Sequence, residues 1–177
     1  MNRLTFEQLE INGRERVLEV GFGGGDLIEW MLAATEAEIV GVDISEAMLE
    51  RARRRFRKVT GQGRLALLAG SAEALPLANR SVDRVCSVNS LYFWPDPSAA
   101  LAEFARVLRP GGRLVLCFQT PEAVQAWPGH IYGFRAYGAD EVASLMQAAG
   151  FGPARIASGE AREVGQFICV SSERDDG

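Results

Sequence analysis

The stretch VLEVGFGGGD, residues 17–26, decides how the rest of the chain is read. It joins an apolar, strand-like run to a turn in which Gly21, Gly23 and Gly25 alternate with Phe22 and Gly24, and then to a helix predicted from about Asp26 to Ala34. Glycines there let the backbone turn sharply and let a ligand reach main-chain N–H groups without meeting a Cβ. The helix that follows aims unpaired amides and the positive end of its dipole at the same place, which favours an anionic group. The dinucleotide fingerprint needs its third glycine three residues after the second, and position 26 is Asp. Glu19, two residues before the turn, adds an acid that can receive an ammonium through hydrogen bonds. A ligand with both an ammonium and a carboxylate therefore suits this turn better than a pyrophosphate.

Outward from that turn, apolar runs recur at residues 17–20, 39–42, 65–69, 82–88 and 114–118, separated by segments of helical periodicity. Near-continuous apolar strands joined by crossover helices describe a parallel α/β sheet covered on both faces. In the first such helix Leu27, Ile28, Met31 and Leu32 share a face. In a later one Leu101, Phe104, Ala105 and Leu108 do, with Asp96 and Pro97 as its start and Pro110 with Gly111 as its stop. The end of the chain predicts a helix over residues 140–149 and strands near 154–157 and 166–171. The first 16 residues predict one short amphipathic helix, with a capping-box spacing from Thr5 to Gln8 and a turn at Asn12 and Gly13.

A chain of 177 residues, 47% hydrophobic and 24% charged, is sized for one domain, residues 1–177, with a real core. A net charge of -4 gives no global attraction for nucleic acid or an anionic membrane, so neither is expected as a partner. No stretch has the length and apolarity of a membrane span, and MNRLTFEQLE lacks a signal peptide's apolar run, so the expected location is the cytosol. The basic run RARRRFRK, residues 51–58, would lie on a helix starting near Ser45 with Met48, Ala52 and Phe56 toward the sheet. Its arginines then form a solvated outer face. Cys86, Cys117 and Cys169 each lie in an apolar run without a CxxC neighbour or nearby histidine, which reads as buried thiols and no metal site.

Four more motifs follow in order: IVGVDIS at 39–45, GSAEALPLANRSVDRV at 70–85, LRPGGRLVL at 108–116 and YGADEVASLMQAAGF at 137–151. An acid at a strand's carboxyl end, Asp43, can accept both ribose hydroxyls, with apolar Ile44 against a base. With these motifs the chain resembles the class I S-adenosylmethionine-dependent methyltransferases from Glu15 to about Val170, and most closely the small-molecule branch that includes quinone-biosynthesis C-methyltransferases. The resemblance implies a Rossmann-like, doubly wound α/β sheet of seven strands, mostly parallel with the last strand antiparallel. It implies S-adenosylmethionine as cofactor, with Glu19, Gly21, Phe22, Gly23 and Gly25 at its methionine part and Asp43 and Ile44 at ribose and adenine. Ser71, Ala72 and Glu73 fall at the adenine edge, where relatives often carry Asp in place of Ser71, and Asn89 falls among the cofactor contacts. Relatives commonly place longer helices before the glycine strand. With the brief preamble here, the site is either open or covered by another part of the chain or by a second copy, as a homodimer.

In such a sheet the acceptor lies beyond the strand ends, near the aromatic loops NSLYFWPDP at 89–97 and Trp127, His130, Tyr132, Phe134 and Tyr137. These rings suit a small, flat or apolar acceptor methylated at C or O. The NPPY pattern of enzymes that methylate base or amide nitrogens is missing, since Ser90 and Leu91 follow Asn89. Methyl transfer from a sulfonium is an in-line displacement in which alignment supplies much of the rate; if a base takes part, His130, the only histidine, and Tyr92 are the candidates. Two other readings stand beside this one: a cofactor-binding partner subunit without transferase activity, and a nucleotide-dependent oxidoreductase resting only on the glycine turn and Asp43.

Overall fold

The computed structural model describes residues 1–126 and 135–175. Seven strands form one sheet in the order β3-β2-β1-β4-β5-β7-β6, where β1 is Val17–Val20, β2 Ile39–Asp43, β3 Leu65–Ala69, β4 Val82–Val88, β5 Leu108–Gln119, β6 Arg155–Ala161 and β7 Gly165–Glu173. The pairs among β1 to β5 are parallel, and β7 runs antiparallel to both β5 and β6. This is the doubly wound sheet that the resemblance implies.

Side-chain alternation along β1 sorts the core into two layers. Leu18 and Val20 join Val40, Val42, Val85, Leu114 and Leu116 beneath α5 (Pro97–Val107) and α7 (Ala139–Ala148), which contribute Leu101, Phe104, Val142 and Met146. Val17 joins Ile39, Leu65 and Val115 on the other face, covered by α1 (Asn2–Leu9), α2 (Asp26–Ala34) and α3 (Glu46–Arg55) through Leu9, Leu27, Ile28, Met31, Leu49 and Ala52. Each fully buried Leu, Ile or Phe in these layers contributes roughly 1.5–3 kcal/mol relative to exposure. Covering both faces is why the strands read as continuous apolar runs.

Several local expectations shift. The N-terminal helix begins at Asn2, so Thr5 sits inside it, and its hydroxyl donates to the Met1 carbonyl at 3.3 Å instead of capping. On α3 it is Leu49, Ala52 and Phe56 that are buried; Met48 is half-buried because it lies at the edge facing the site. The helix break falls at Leu108, ahead of Pro110 and Gly111, because β5 starts there with a register irregularity against β4 at Val82 and Arg84. Two short helices, α4 (Arg57–Gly61) and α6 (Pro121–Ala126), have no counterpart in the sequence reading.

The arginine run forms an ion-paired surface. Arg53 pairs with Glu46 at 2.7 Å, Arg54 with Glu50 at 3.6 Å, and Arg55 with both Asp26 and Glu29 at 2.6 Å, tying α3 to the start of α2. The three cysteines are buried and free. No helix among the described residues is long and apolar enough to cross a membrane, and no cluster of three or more His, Cys, Asp or Glu is placed to hold a metal.

Candidate functional site

The strand order reverses between β1 and β4, so a crevice opens beyond their carboxyl ends, where open α/β sheets bind ligands. Its floor is stitched by serines: Ser87 donates to the Val20 carbonyl at 2.7 Å and shares a hydrogen bond with Ser90. Gly21 passes so close to Ser90 that a Cβ would lie 2.9 Å from the Ser90 Cβ. Gly25, at φ 79°, is equally enclosed, its absent Cβ falling 2.7 Å from Phe56. Gly23 differs: its φ is 51° and none of the described residues has an atom within 4 Å of where its Cβ would be. Two of the glycines thus permit packing, while the middle one opens bare backbone to the crevice.

Two carboxylates flank this cradle. Asp43, at the end of β2, accepts from the Gly23 N–H at 3.2 Å and from the Ser45 N–H at 2.9 Å. A carboxylate offers about four lone-pair sites, so two remain for hydroxyl donors. Glu19 is fully enclosed, and its Oε2 has no hydrogen-bond partner among the described residues. Burial, aided by the charges of Asp43 and Asp26, pushes its carboxyl up to about 8. A buried acceptor left unmatched is costly, and a cation arriving in the cradle is what would match it.

A cavity of about 740 Å³ lies on the Asp43 side, lined by Gly21, Gly23, Asp43, Ile44, Ser71, Ala72, Glu73 and Asn89, together with Met48, Phe93 and Trp94. Ile44 is 81% exposed here, an apolar side chain left facing open space. Ser71 and Ala74 form an isolated bridge that bends the chain at Ala72 and Glu73, and the Glu73 Oε1 is a second buried oxygen without a partner among the described residues. The loop behind this turn is clamped from α5: Glu103 accepts from the Leu75 N–H at 2.8 Å, and Arg106 donates to the carbonyls of Leu75 and Leu77.

On the other side of the glycines a cavity of about 530 Å³ is lined by Glu19, Gly21 to Asp26, Trp30 and Asn89, with Met1 to Arg3 of α1 on one wall and Glu163 and Val164 of the β6–β7 turn on another. Asn89, held at φ 57° while its N–H donates to the Cys117 carbonyl at 2.7 Å, stands between the two cavities. It also borders a smaller space of about 220 Å³ with Tyr92, Phe93, Gln119, Val124, Glu163 and Val164. The Tyr92 hydroxyl there accepts from the Gln119 N–H, and burial pushes its ionisation well up. The Gln119 side chain in turn donates to the Val164 carbonyl at 2.6 Å. Tyr137 is buried in the core beneath Arg135 and is not part of the site. His130, Trp127, Tyr132 and Phe134 lie outside the described residues.

Residues 18–116 match the methyltransferase-domain family, which takes in β1, the glycine turn, Asp43, the Ser71 turn and most of β5. This chain belongs to that family. The methyltransferase domain is 37% identical over 124 residues to the uncharacterized methyltransferase YdaC of Bacillus subtilis, covering 70% of this chain and 66% of that protein. It is 40% identical over 116 residues to the ubiquinone/menaquinone biosynthesis C-methyltransferase UbiE of Syntrophotalea carbinolica, covering 64% and 48%. Among solved structures, the complex between the Haloferax volcanii Trm112 methyltransferase activator and the putative methyltransferase contains a chain of the same fold, with a TM-score of 0.86 at 20% identity, covering 98% of this chain and 88% of that one. The chain spans about two fifths to two thirds of the length of the curated relatives it matches.

The glycines, Glu19, Asp43, Ile44, the Ser71 turn and Asn89, expected from the sequence at the site of this methyltransferase domain, are brought to one crevice by the structure. Met1 to Arg3, Trp30 and the β6–β7 turn were not expected from the sequence as walls of the site. Trp30, 43% exposed on α2 and edge-on to Phe6 at 6.1 Å, carried a signal: a large aromatic off the apolar face of its helix. Glu163 and Val164 carried none, because only tertiary folding returns that turn to the glycines.

Proposed function

We propose that this domain binds S-adenosylmethionine in the crevice between β1 and β4 and transfers its methyl group to a small, largely apolar or aromatic acceptor at carbon or oxygen. The single observation that carries the reading is the unmatched, buried Glu19 carboxyl facing a glycine cradle, with Asp43 on the far side. An amino-acid tail needs a partner for its ammonium and bare N–H groups for its carboxylate, and a ribose needs an acceptor for two hydroxyls. Glu19, the amides at the start of α2 beside the open backbone of Gly23, and Asp43 supply these in that order. Ile44 and Phe93 give an apolar bed for a base, and the Glu73 Oε1 would accept from an exocyclic amino group where relatives use an Asp at the position of Ser71.

Bound there, S-adenosylmethionine supplies a methyl group on a positively charged sulfur. The residues of this chain hold and exclude. Asn89 marks the boundary between the cofactor cavity and the smaller space beside Tyr92 and Gln119, which is where an acceptor would meet the methyl group in line. With its hydroxyl engaged by Gln119 and its phenolate disfavoured by burial, Tyr92 serves as a wall rather than as the proton acceptor. His130 remains the candidate base for an acceptor that must lose a proton. A carbon acceptor agrees with the relative named for quinone biosynthesis, a C-methyltransferase.

Calorimetry with S-adenosylmethionine and S-adenosylhomocysteine tests the cofactor, and a methyl-transfer assay over phenols, quinols and aliphatic alcohols tests the acceptor. Micromolar binding of S-adenosylhomocysteine is expected. Failure of either compound to bind at high micromolar concentration would sink the reading.

A further inference from the structure

Cys117 of β5 and Cys169 of β7 stand directly opposite one another on antiparallel strands. The Thr120 N–H donates to the Gln166 carbonyl at 3.0 Å and the Arg174 N–H to the Gly112 carbonyl at 2.7 Å, so hydrogen-bonded pairs fall on the even positions of β5. Cys117 and Cys169 therefore occupy a non-hydrogen-bonded site, where facing Cα atoms lie about 4.5 Å apart and side chains approach most closely. That spacing falls inside the range a disulfide spans, about 4.4–6.8 Å between Cα atoms. Both thiols are free, and each is 1% exposed. The Cys169 S–H donates to Cys117, which holds the Cys117 thiol below its usual range and pushes Cys169 up. Of the two, Cys117 gives up its proton the more readily.

The pair also supports α1. The Cys117 Sγ lies 4.0 Å from the Met1 carbonyl it donates to, the Cys169 Sγ lies 3.7 Å from the Thr5 hydroxyl, and Met1 and Leu4 pack on the cluster formed with Phe167. Met1, which caps α1, and Asn2 and Arg3 in its first turn line the cavity beside Glu19 and the glycines.

We propose that Cys117 and Cys169 form a redox-active dithiol whose closure to a disulfide loosens the first turn of α1 from the wall of the cofactor cavity. Hydrogen peroxide is the oxidant. The Cys117 thiolate attacks one peroxide oxygen, the O–O bond breaks, and hydroxide leaves and takes up the released proton as water. The Cys169 sulfur then attacks the resulting sulfenic acid, the S–S bond forms, and a second water carries away the hydroxyl and the Cys169 proton. Two sulfurs lose two electrons and the peroxide gains them. Closure to an S–S length of about 2.05 Å draws both sulfurs together and removes the S–H that Cys117 offers to Met1. The consequence for the cofactor rests on the methyltransferase reading; the disulfide and the loosening of α1 do not.

The test exposes the full chain to hydrogen peroxide and follows three readouts: disulfide mapping after blocking free thiols, hydrogen exchange of the α1 amides, and affinity for S-adenosylhomocysteine. Expected are a Cys117–Cys169 cross-link with Cys86 still free, α1 exchange faster by about tenfold, and affinity weaker by about three- to tenfold, all reversed by dithiothreitol. Cys169→Ser should abolish all three responses. The proposal is overturned if both thiols stay open to alkylation in the treated protein, or if the cross-link forms while α1 exchange is unchanged. A reduced protein that binds no S-adenosylhomocysteine sinks the methyltransferase reading alone, and the first two readouts still decide this one.

Discussion

The Asp43 carboxylate accepts from the main-chain N–H of Gly23 at 3.2 Å, which ties the end of β2 to the middle of the glycine turn on β1. One side chain thereby shapes the cradle at the place proposed for the amino-acid tail and presents its remaining lone pairs to the sugar. Asp43→Ala should remove both effects and weaken S-adenosylhomocysteine binding by roughly 10–100-fold, the value of one or two hydrogen bonds to a charged group. Calorimetry beside circular dichroism checks this. Unchanged affinity in a folded variant would show that Asp43 holds no ligand.

Glu19 makes the stability of the domain pH-sensitive. Its folded value, about 8, stands above the ordinary 4.5, so the folded chain keeps a proton that the unfolded chain has released. The contribution of this group to stability is therefore full below the unfolded carboxylate range and is lost as pH rises through about 8. Thermal midpoints of the ligand-free protein should fall from about pH 5 to about pH 8 and level off above it, and Glu19→Gln should flatten that fall. A parent and variant with the same slope would contradict the assignment.

The same carboxyl predicts a proton count. A cofactor ammonium needs Glu19 charged, so binding near neutral pH should release close to one proton per site. Calorimetry in buffers of different ionisation enthalpy measures it directly. Glu19→Gln should release none and should bind at least about tenfold more weakly.

Gly23 and Gly25 should fail in different ways. Gly23→Ala puts a methyl group into open space at φ 51°, costing about 1–2 kcal/mol of backbone strain while filling the cradle, so ligand affinity should fall with the fold retained. Gly25→Ala drives a methyl to 2.7 Å from the Phe56 ring at φ 79°, so stability should fall by about 2–4 kcal/mol. Thermal melts with and without S-adenosylhomocysteine separate the two, and a Gly23→Ala variant that binds like the parent would remove the cradle from the site.

Ile44 should matter only when the site is filled. At 81% exposure it contributes little to the empty fold, and Ile44→Ser should change stability by less than about 0.5 kcal/mol. The same change should weaken S-adenosylhomocysteine by roughly three- to tenfold through lost apolar contact. A variant that loses stability and keeps affinity would reverse this role.

Much of the architecture is legible in the order of residues, because its signals are local. A strand buried on both faces reads as a continuous apolar run, as at residues 39–42 and 82–88. A helix start reads as Asp96 before Pro97, where the Asp96 side chain does accept from the Ser98 and Ala99 N–H groups at 3.0 and 3.1 Å. The capping reading at Thr5 failed because a hydroxyl inside a helix can return its proton to the carbonyl four residues back as readily as cap a new turn. Leu49 is buried on α3 where Met48 was expected to be, because one residue turns a helix by about 100° and only the packing partner decides which faces inward.

By itself the sequence determined the alternation of strands and helices, the glycine turn and the carboxylates on either side of it, since each is set by bonds and sterics within a few residues. Only the tertiary structure decided that the Glu19 Oε2 is left without a partner among the described residues, that α1 and the β6–β7 turn wall the cavity beside the glycines, and that Cys117 faces Cys169. Those facts depend on the sheet order, in which the last strand enters between β5 and β6 and brings residues some 50 or more positions apart to within a side chain's reach. Desolvation and cross-strand proximity are properties of that assembled environment, and no short stretch of chain contains them.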